Sequence, residues 1–288
     1  PPLGELKPAP MEPLRVKEIY QPVSVREVET GVWQYDLGKN FSGWARIYVN
    51  KNSAPAGSKI IMTPGEIIDD SFVPDQSVTG KGYAWTYLIS DESEQEFAPD
   101  FTYTGFRYVQ IQGAVPDLEK NKGNMPVIEK IVGEFIYPDV EQTGEFHCSK
   151  PLFNDIHKII CQAILSNLKS YTTDCPHRER LPWLEQTHLI APGVMYNYDT
   201  QNIYQKQEQD MSDSQRENGL VPDICPEYVV FGYHEGFVDS PEWGSACILN
   251  PWYLYQRYGD TATMERCYET MRRYLDYLTS RTHHHVLH

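Results

Sequence analysis

The pattern of apolar and polar positions changes once along the chain, near Pro138. From about Arg15 to Tyr137 the apolar residues come in short, often alternating runs, such as Val32 to Leu37, Ala45 to Val49, Lys59 to Met62, Tyr83 to Ile89 and Phe106 to Ile111. Successive strand side chains point to opposite faces, and β-branched and aromatic residues suit such a half-buried surface. Gly, Pro, Asn and Asp separate the runs, with no long helical period between them. This predicts an antiparallel β-sandwich and excludes a parallel βαβ sheet.

Beyond Pro138 the period becomes helical. Ser149 reads as an N-cap and Pro151 suits a first turn. Leu152, Ile156, Ile159, Ile160 and Ala163 then recur on one face of a helix reaching about Ser170. Further helices are predicted at about 186–196, 200–217, 243–258 and 262–279, where Met264, Cys267, Met271, Tyr274 and Leu278 keep one apolar face. Two long polar loops, Tyr171 to Glu185 and Asn218 to Glu242, join these helices. Loops longer than about 12 to 15 residues in a compact domain are usually functional or disordered, so the chemistry is placed there. The reading is a sandwich over residues 1–140 and an all-α domain over 141–288 that stops directly after a helix, with no closing element.

Composition narrows the function. A chain of 288 residues admits two domains, and 40% hydrophobic with 23% charged residues is ordinary for a folded protein. A net charge of −15 repels phosphate backbones and anionic lipid, which argues against nucleic acid as a partner. No apolar run approaches the roughly 20 residues that cross a bilayer, so no membrane insertion is expected. The amino terminus, Pro1-Pro2-Leu3-Gly4, shows neither an initiator Met nor a signal peptide. The six cysteines are widely spaced without a CxxC pair, so buried thiols are expected instead of a zinc site or disulfide scaffold. His283, His284 and His285 are consecutive, and on a helix end they point in different directions. No metal and no cofactor is expected.

The densest chemistry lies between Thr173 and Gln186, where Asp174, Glu179 and Glu185 stand with Arg178, Arg180, His177 and Trp183 in a loop broken by Pro176 and Pro182. Carboxylates crowded beside a Trp face opposing pressures: like charge and desolvation favour the acid form of one, while Arg holds another ionised. Such a pocket can supply a proton donor and a charged group that orients a sugar. On composition alone, a solvated salt-bridge loop stands equally with a functional site.

The run Asp174-Cys175-Pro176-His177-Arg178-Glu179-Arg180-Leu181-Pro182-Trp183, continued by Leu184 to His188, resembles the ordered D-C-P-[QH]-R-[ED]-[KR]-L-G-W motif of α-L-rhamnosidases of glycoside hydrolase family 78, in a Bacteroidetes-type form. Asp36 to Trp44 and Phe101 to Tyr108 are similar to two motifs of that family's sandwich. Asp239 to Ala246, Pro251-Trp252 and Tyr258-Gly259-Asp260 are similar to its later motifs. The resemblance covers nearly the whole chain. It implies a β-sandwich followed by the first half of an α/α six-hairpin toroid, and hydrolysis of terminal α-L-rhamnose with inversion. The expected partner is a rhamnose-containing oligosaccharide or glycoside.

Position by position, the resemblance makes Glu179 the general acid. It gives sugar-hydroxyl contacts to Asp174 and Arg178, with the Arg fork also keeping Asp174 charged, and aromatic pocket walls to Trp183 and Trp243. Where the family has Gly before the Trp, this chain has Pro182, which lacks an N–H and could reroute the loop. Where the family commonly has Asp, it has Gln186, which can hydrogen-bond a sugar but cannot share acid-base work; Glu185 is one position off register. The general base falls outside these residues, so the 288-residue chain alone is expected to be inactive.

Asp36 to Trp44 and Phe101 to Tyr108 read as structural, with Gly38 and Gly43 at turns and Trp44 in the core. Glu227, Tyr228, Glu235 and Asp239 either line the pocket mouth or form a solvated acidic loop, and Asp223 is the last site candidate. Two other functions remain: an α/α-barrel glycosidase or phosphorylase with a different sugar or acceptor, and a non-catalytic carbohydrate-binding homologue. Family analogy favours a periplasmic or secreted setting. Aglycone, linkage and oligomeric state are not encoded in any motif.

Overall fold

The computed structural model describes residues 7–50, 52–79, 82–91, 95–117, 119–121, 123–232, 236–284 and 286–287. Two compact units emerge: one formed by Arg15–Tyr137 with Cys175–Glu179, the other by the remaining segments, chiefly Pro138–Asp174 and Arg180–His288. The amino-terminal tetrapeptide, Glu235 and His285 lie outside the described residues.

The first unit is built on one eight-stranded sheet. Its strands are β1 (Leu14–Tyr20), β2 (Ser24–Glu29), β3 (Val32–Val49), β4 (Lys59–Gly65), the short β5 (Ile67–Ile68) and β6 (Pro74–Asp75) that pair separately, then β7 (Trp85–Leu88), β8 (Glu96–Phe97), β9 (Thr104–Gln112) and β10 (Ile128–Pro138). The long strand β3 pairs antiparallel with β2 and β9 along its first part and with β10 and β8 along its last. One strand thus serves both halves of a curled sheet. The two runs read from the sequence as separate strands are continuous, joined through Gly38 in the left-handed region (φ 80°) where the β3–β9 register shifts.

Alternation along β3 and β9 buries Phe41 and Phe106, whose rings lie 4.6 Å apart, against Phe135 of β10. Ile47, Ile60, Met62 and Ile111 complete the core. Trp44 does not join it: the ring is half-buried and its indole N–H donates to Glu134, which also takes Arg46 Nε at 2.7 Å. A Trp whose N–H needs a partner settles where a carboxylate reaches it.

Asp36 accepts two hydrogen bonds from the Arg107 guanidinium, each 2.8 Å, and one from Gly38 N–H at 2.7 Å. Hydrogen bonding from Arg107 is the main force holding this carboxyl below its usual range, against the opposing effect of burial. A depressed folded-state value means the contribution is complete above the unfolded-state value of about 3.9 and is lost as pH falls through the folded one. Urea midpoints of the sheet unit should therefore fall as pH is lowered from about 5 towards 2. The Asp36→Asn variant should show a shallower fall; equal slopes in both proteins would show that Asp36 is not a source of the acid sensitivity.

The second unit holds α1 (Pro151–Asn167), α2 (Leu184–Asn197), α3 (Gln201–Ser214), the single turn α4 (Pro241–Gly244), α5 (Ala246–Tyr258) and α6 (Thr261–Ser280), followed by the strand pair β11 (Thr282–His283) and β12 (Val286–Leu287). Helices α2, α3, α5 and α6 pack on one another around Leu184, Met195, Tyr204, Met211, Leu254 and Tyr274, all buried. The expected helix at 243–258 is split at Ser245. Asp260 caps α6 by accepting from Thr263 N–H at 2.9 Å, which gives the Gly259-Asp260 pair a structural reason.

Two expectations for α1 are corrected. Its N-cap is Lys150, which makes no side-chain cap, and Asn154 instead reaches back to Cys148 N and O at 2.8 and 2.9 Å. Its apolar stripe is not buried: Leu152 and Ile159 are each 67% exposed. Of the cysteines only Cys225, Cys247 and Cys267 are buried, and none is disulfide-bonded. No helix among the described residues is long and apolar enough to cross a membrane, and no group of three His, Cys, Asp or Glu among them could hold a metal.

Candidate functional site

The loop from Asp174 to Trp183 is fixed at its base. Thr173 N–H donates to Asn167 O at 2.9 Å, and the Thr172 and Thr187 hydroxyls share a 2.6 Å hydrogen bond that ties the loop entry to α2. Asp174 Oδ1 accepts from Leu181 N–H at 3.0 Å, and Asp174 N–H donates to Leu181 O at 3.4 Å. The segment between them is therefore a closed loop. Arg180 turns the chain in the left-handed region (φ 56°), a conformation costing an ordinary residue roughly 1 to 2 kcal/mol. Its carbonyl accepts from the Tyr228 hydroxyl at 2.8 Å.

Pro182 is accommodated beside a backbone bridge. Trp183 forms an antiparallel bridge with Ile224, flanked by Cys225 N–H to Pro182 O at 3.2 Å and Leu184 N–H to Asp223 O at 2.9 Å. The bridge uses only the carbonyl of Pro182, so the missing N–H costs nothing there.

Trp183 is buried and its ring stacks on Phe231 (5.5 Å, 18°) and meets Phe237 edge-on (5.7 Å). Leu181, Ile224 and Trp243 complete this aromatic cluster. Phe231 and Phe237 were missed by the sequence reading because they lie in a loop without period. The signal available was two phenylalanines six residues apart in a loop read chiefly for its acidic residues.

Gln186 on α2 and Trp243 on α4 belong to neighbouring helices tied by His188 Nε2 to Glu242 O at 2.7 Å. Gln186 Oε1 and Trp243 Nε1 are buried without a hydrogen-bond partner among the described residues. A buried unpaired polar group costs about 1 to 3 kcal/mol.

The second loop is pinned rather than loose. Arg216 pairs with Glu227 at 2.7 Å, and the Tyr277 hydroxyl donates to Asp239. Asp223, buried, accepts from Ser240 N–H at 2.7 Å and from its hydroxyl at 2.8 Å, at the entry to α4. Burial pushes the Asp223 carboxyl up, and the Ser240 hydrogen bonds oppose that. These three acids serve the loop's own architecture.

Glu179 belongs with Cys175–Glu179 to the sheet unit. Its Oε1 lies 2.8 Å from Arg178 Nη2, and its side chain is 32% exposed. Glu179 N–H donates to Cys175 Sγ at 3.4 Å. Arg178, expected to contact sugar hydroxyls and keep Asp174 charged, donates to Glu179 Oε1 at 2.8 Å, while Asp174 Oδ1 accepts from the Leu181 backbone. Adjacent residues 178 and 179 pair directly, whereas the loop closure draws Asp174 towards its base.

The chain thus combines a curled antiparallel sheet with helical hairpins, an acid-bearing loop and an aromatic cluster. Residues 26–137 match the bacterial α-L-rhamnosidase concanavalin-like domain and residues 141–287 the bacterial α-L-rhamnosidase 6 hairpin glycosidase domain. The chain belongs to the bacterial α-L-rhamnosidase family. An α-L-rhamnosidase of Formosa agariphila is 28% identical over 262 residues, covering 88% of this chain and 27% of the relative. One from Streptomyces avermitilis is 28% identical over 92% of this chain and 24% of its own length. Among solved structures, the α-L-rhamnosidase of Dictyoglumus thermophilum superposes with a TM-score of 0.84 at 34% identity, over 94% of this chain and 29% of that one. The Streptomyces avermitilis α-L-rhamnosidase complexed with L-rhamnose gives 0.83 at 25% identity, over 96% and 25%. The chain thus spans about a quarter of these relatives' length.

Proposed function

We propose that the full-length protein hydrolyses terminal α-L-rhamnose from glycans or glycosides with inversion, and that Glu179 is its general acid. The observation that supports this reading is the non-helical Cys175–Glu179 segment, held in the sheet unit by Gly105 N–H to Pro176 O at 2.8 Å, with Glu179 paired to Arg178. In hydrolysis the glycosidic oxygen leaves with a proton from one carboxyl group, while a carboxylate about 6.5 to 9.5 Å away activates water on the opposite face. The second carboxylate is assigned to the three quarters of the family fold outside this chain. Asp174 keeps Oδ2, and Arg178 its remaining N–H donors, for sugar hydroxyls. Trp183 and Trp243 form the apolar wall, and Gln186 Oε1 accepts from a hydroxyl.

Nitrophenol release from a panel of nitrophenyl glycosides, with and without inorganic phosphate, tests the assignment. The full-length protein should cleave the α-L-rhamnoside and release the β-anomer first by proton NMR, while the 288-residue chain releases none. Preference for another sugar, phosphate-dependent cleavage, or turnover by the short chain would contradict it.

A further inference from the structure

The two sheet motifs read as purely structural converge on the segment that carries Glu179. The register shift in the β3–β9 ladder lies between Asp36 and Phe41, and Asn40 stands exposed at this bulge. Its Nδ2 donates to Glu66 Oε1 at 3.0 Å. The other oxygen of Glu66 lies 3.4 Å from His177 Nε2, on a ring that is only 16% exposed. On β9, Gly105 N–H donates to Pro176 O at 2.8 Å. A Cβ at position 105 would stand 2.7 Å from Pro176 Cγ and 2.6 Å from Glu66 Oε1, so the approach requires glycine.

Glu66 follows Gly65, which is paired with Tyr108 of β9, so its backbone is anchored on the ladder. Pro176 and His177 are therefore gripped by neighbouring strands, immediately before Arg178 and Glu179. The geometry points to Glu66 as a positioning residue: with Gly105, it sets the path of Pro176-His177 and, through it, the direction of the Glu179 carboxyl. This rests on Glu179 being the general acid. A proton donor displaced by about 1 Å loses up to about 10²-fold in rate, and the loss falls on the step that needs the proton. The sheet would then act in catalysis without touching the sugar.

The test uses the full-length protein and its E66A, E66Q, G105A and E179Q variants, with methyl and nitrophenyl α-L-rhamnosides compared. A methoxide leaving group needs protonation, whereas nitrophenolate needs little. E66A should lose about 10- to 100-fold in kcat on the methyl glycoside, with KM nearly unchanged, and several-fold less on the nitrophenyl one. E66Q, which keeps an acceptor for Asn40, should recover most of the loss, and G105A should reproduce the E66A pattern. Should E66A fold poorly, H177Q approaches the same contact from the loop and should show the same leaving-group bias. Equal losses on both substrates, or a rise in KM alone, would overturn the role of Glu66 if E179Q is itself steeply leaving-group dependent. A flat E179Q response would instead overturn the acid assignment.

Discussion

Replacing Glu179 by Gln in the full-length protein is expected to lower turnover of methyl α-L-rhamnoside by about 10²- to 10⁴-fold, the usual contribution of a positioned acid. Gln keeps the size and hydrogen-bonding shape of Glu but has no proton to give. The loss should appear in kcat, because the groups assigned to bind the sugar remain in place. With nitrophenyl rhamnoside the deficit should shrink, since a good leaving group departs with little protonation. Folding should be little affected: the Arg178 partner is 53% exposed, and an ion pair so close to solvent contributes about 1 kcal/mol at most. Steady-state kinetics on both substrates with matched melting curves decides the point. An equal loss on both would place residue 179 in binding or folding and not in proton transfer.

Truncating Trp183 to Ala should produce the largest stability loss at the site. The ring is buried, stacked on Phe231 and edge-on to Phe237, with Leu181, Ile224 and Trp243 around it. Removing a buried aromatic costs about 3 to 5 kcal/mol, part of it from the cavity left behind. Its backbone bridge to Ile224 would remain, so the damage should be confined to the helical unit. Trp183→Phe keeps an aromatic face towards Phe231 and should recover a substantial part of the loss. Urea midpoints for the three proteins measure this. A shift below about 1 kcal/mol for the Ala variant would mean that Trp183 is not the centre of the cluster.

The helices were legible because a period of 3.6 survives wherever a face is amphipathic, and α2, α3 and α6 lie within a few residues of their expected bounds. Period reports amphipathicity, however, and not the partner. Helix α1 follows the expected spacing, yet Ile156, Ile159 and Ile160 are exposed. In the sheet, Gly38 and Gly43 read as turns that break a strand, whereas β3 runs through both because a bulge absorbs the irregularity.

The candidate loop from Asp174 to Trp183 stands out in the sequence because its charged residues are dense and ordered. Contacts between distant positions do not. Nothing local marks Glu66 as the neighbour of His177, or Phe231 as the stacking partner of Trp183. The partners of Arg178 and Asp174 were not legible either: composition shows which charges are near in sequence, but the folded loop decides which groups meet.

The most direct test is a crystal structure of the full-length Glu179→Gln protein with an uncleaved rhamnose-terminated disaccharide. A general acid at residue 179 requires the side-chain amide within about 2.6 to 3.2 Å of the glycosidic oxygen, with the sugar face against Trp183 or Trp243. A disaccharide bound with that oxygen out of reach of residue 179 and beside a different carboxyl group would contradict it.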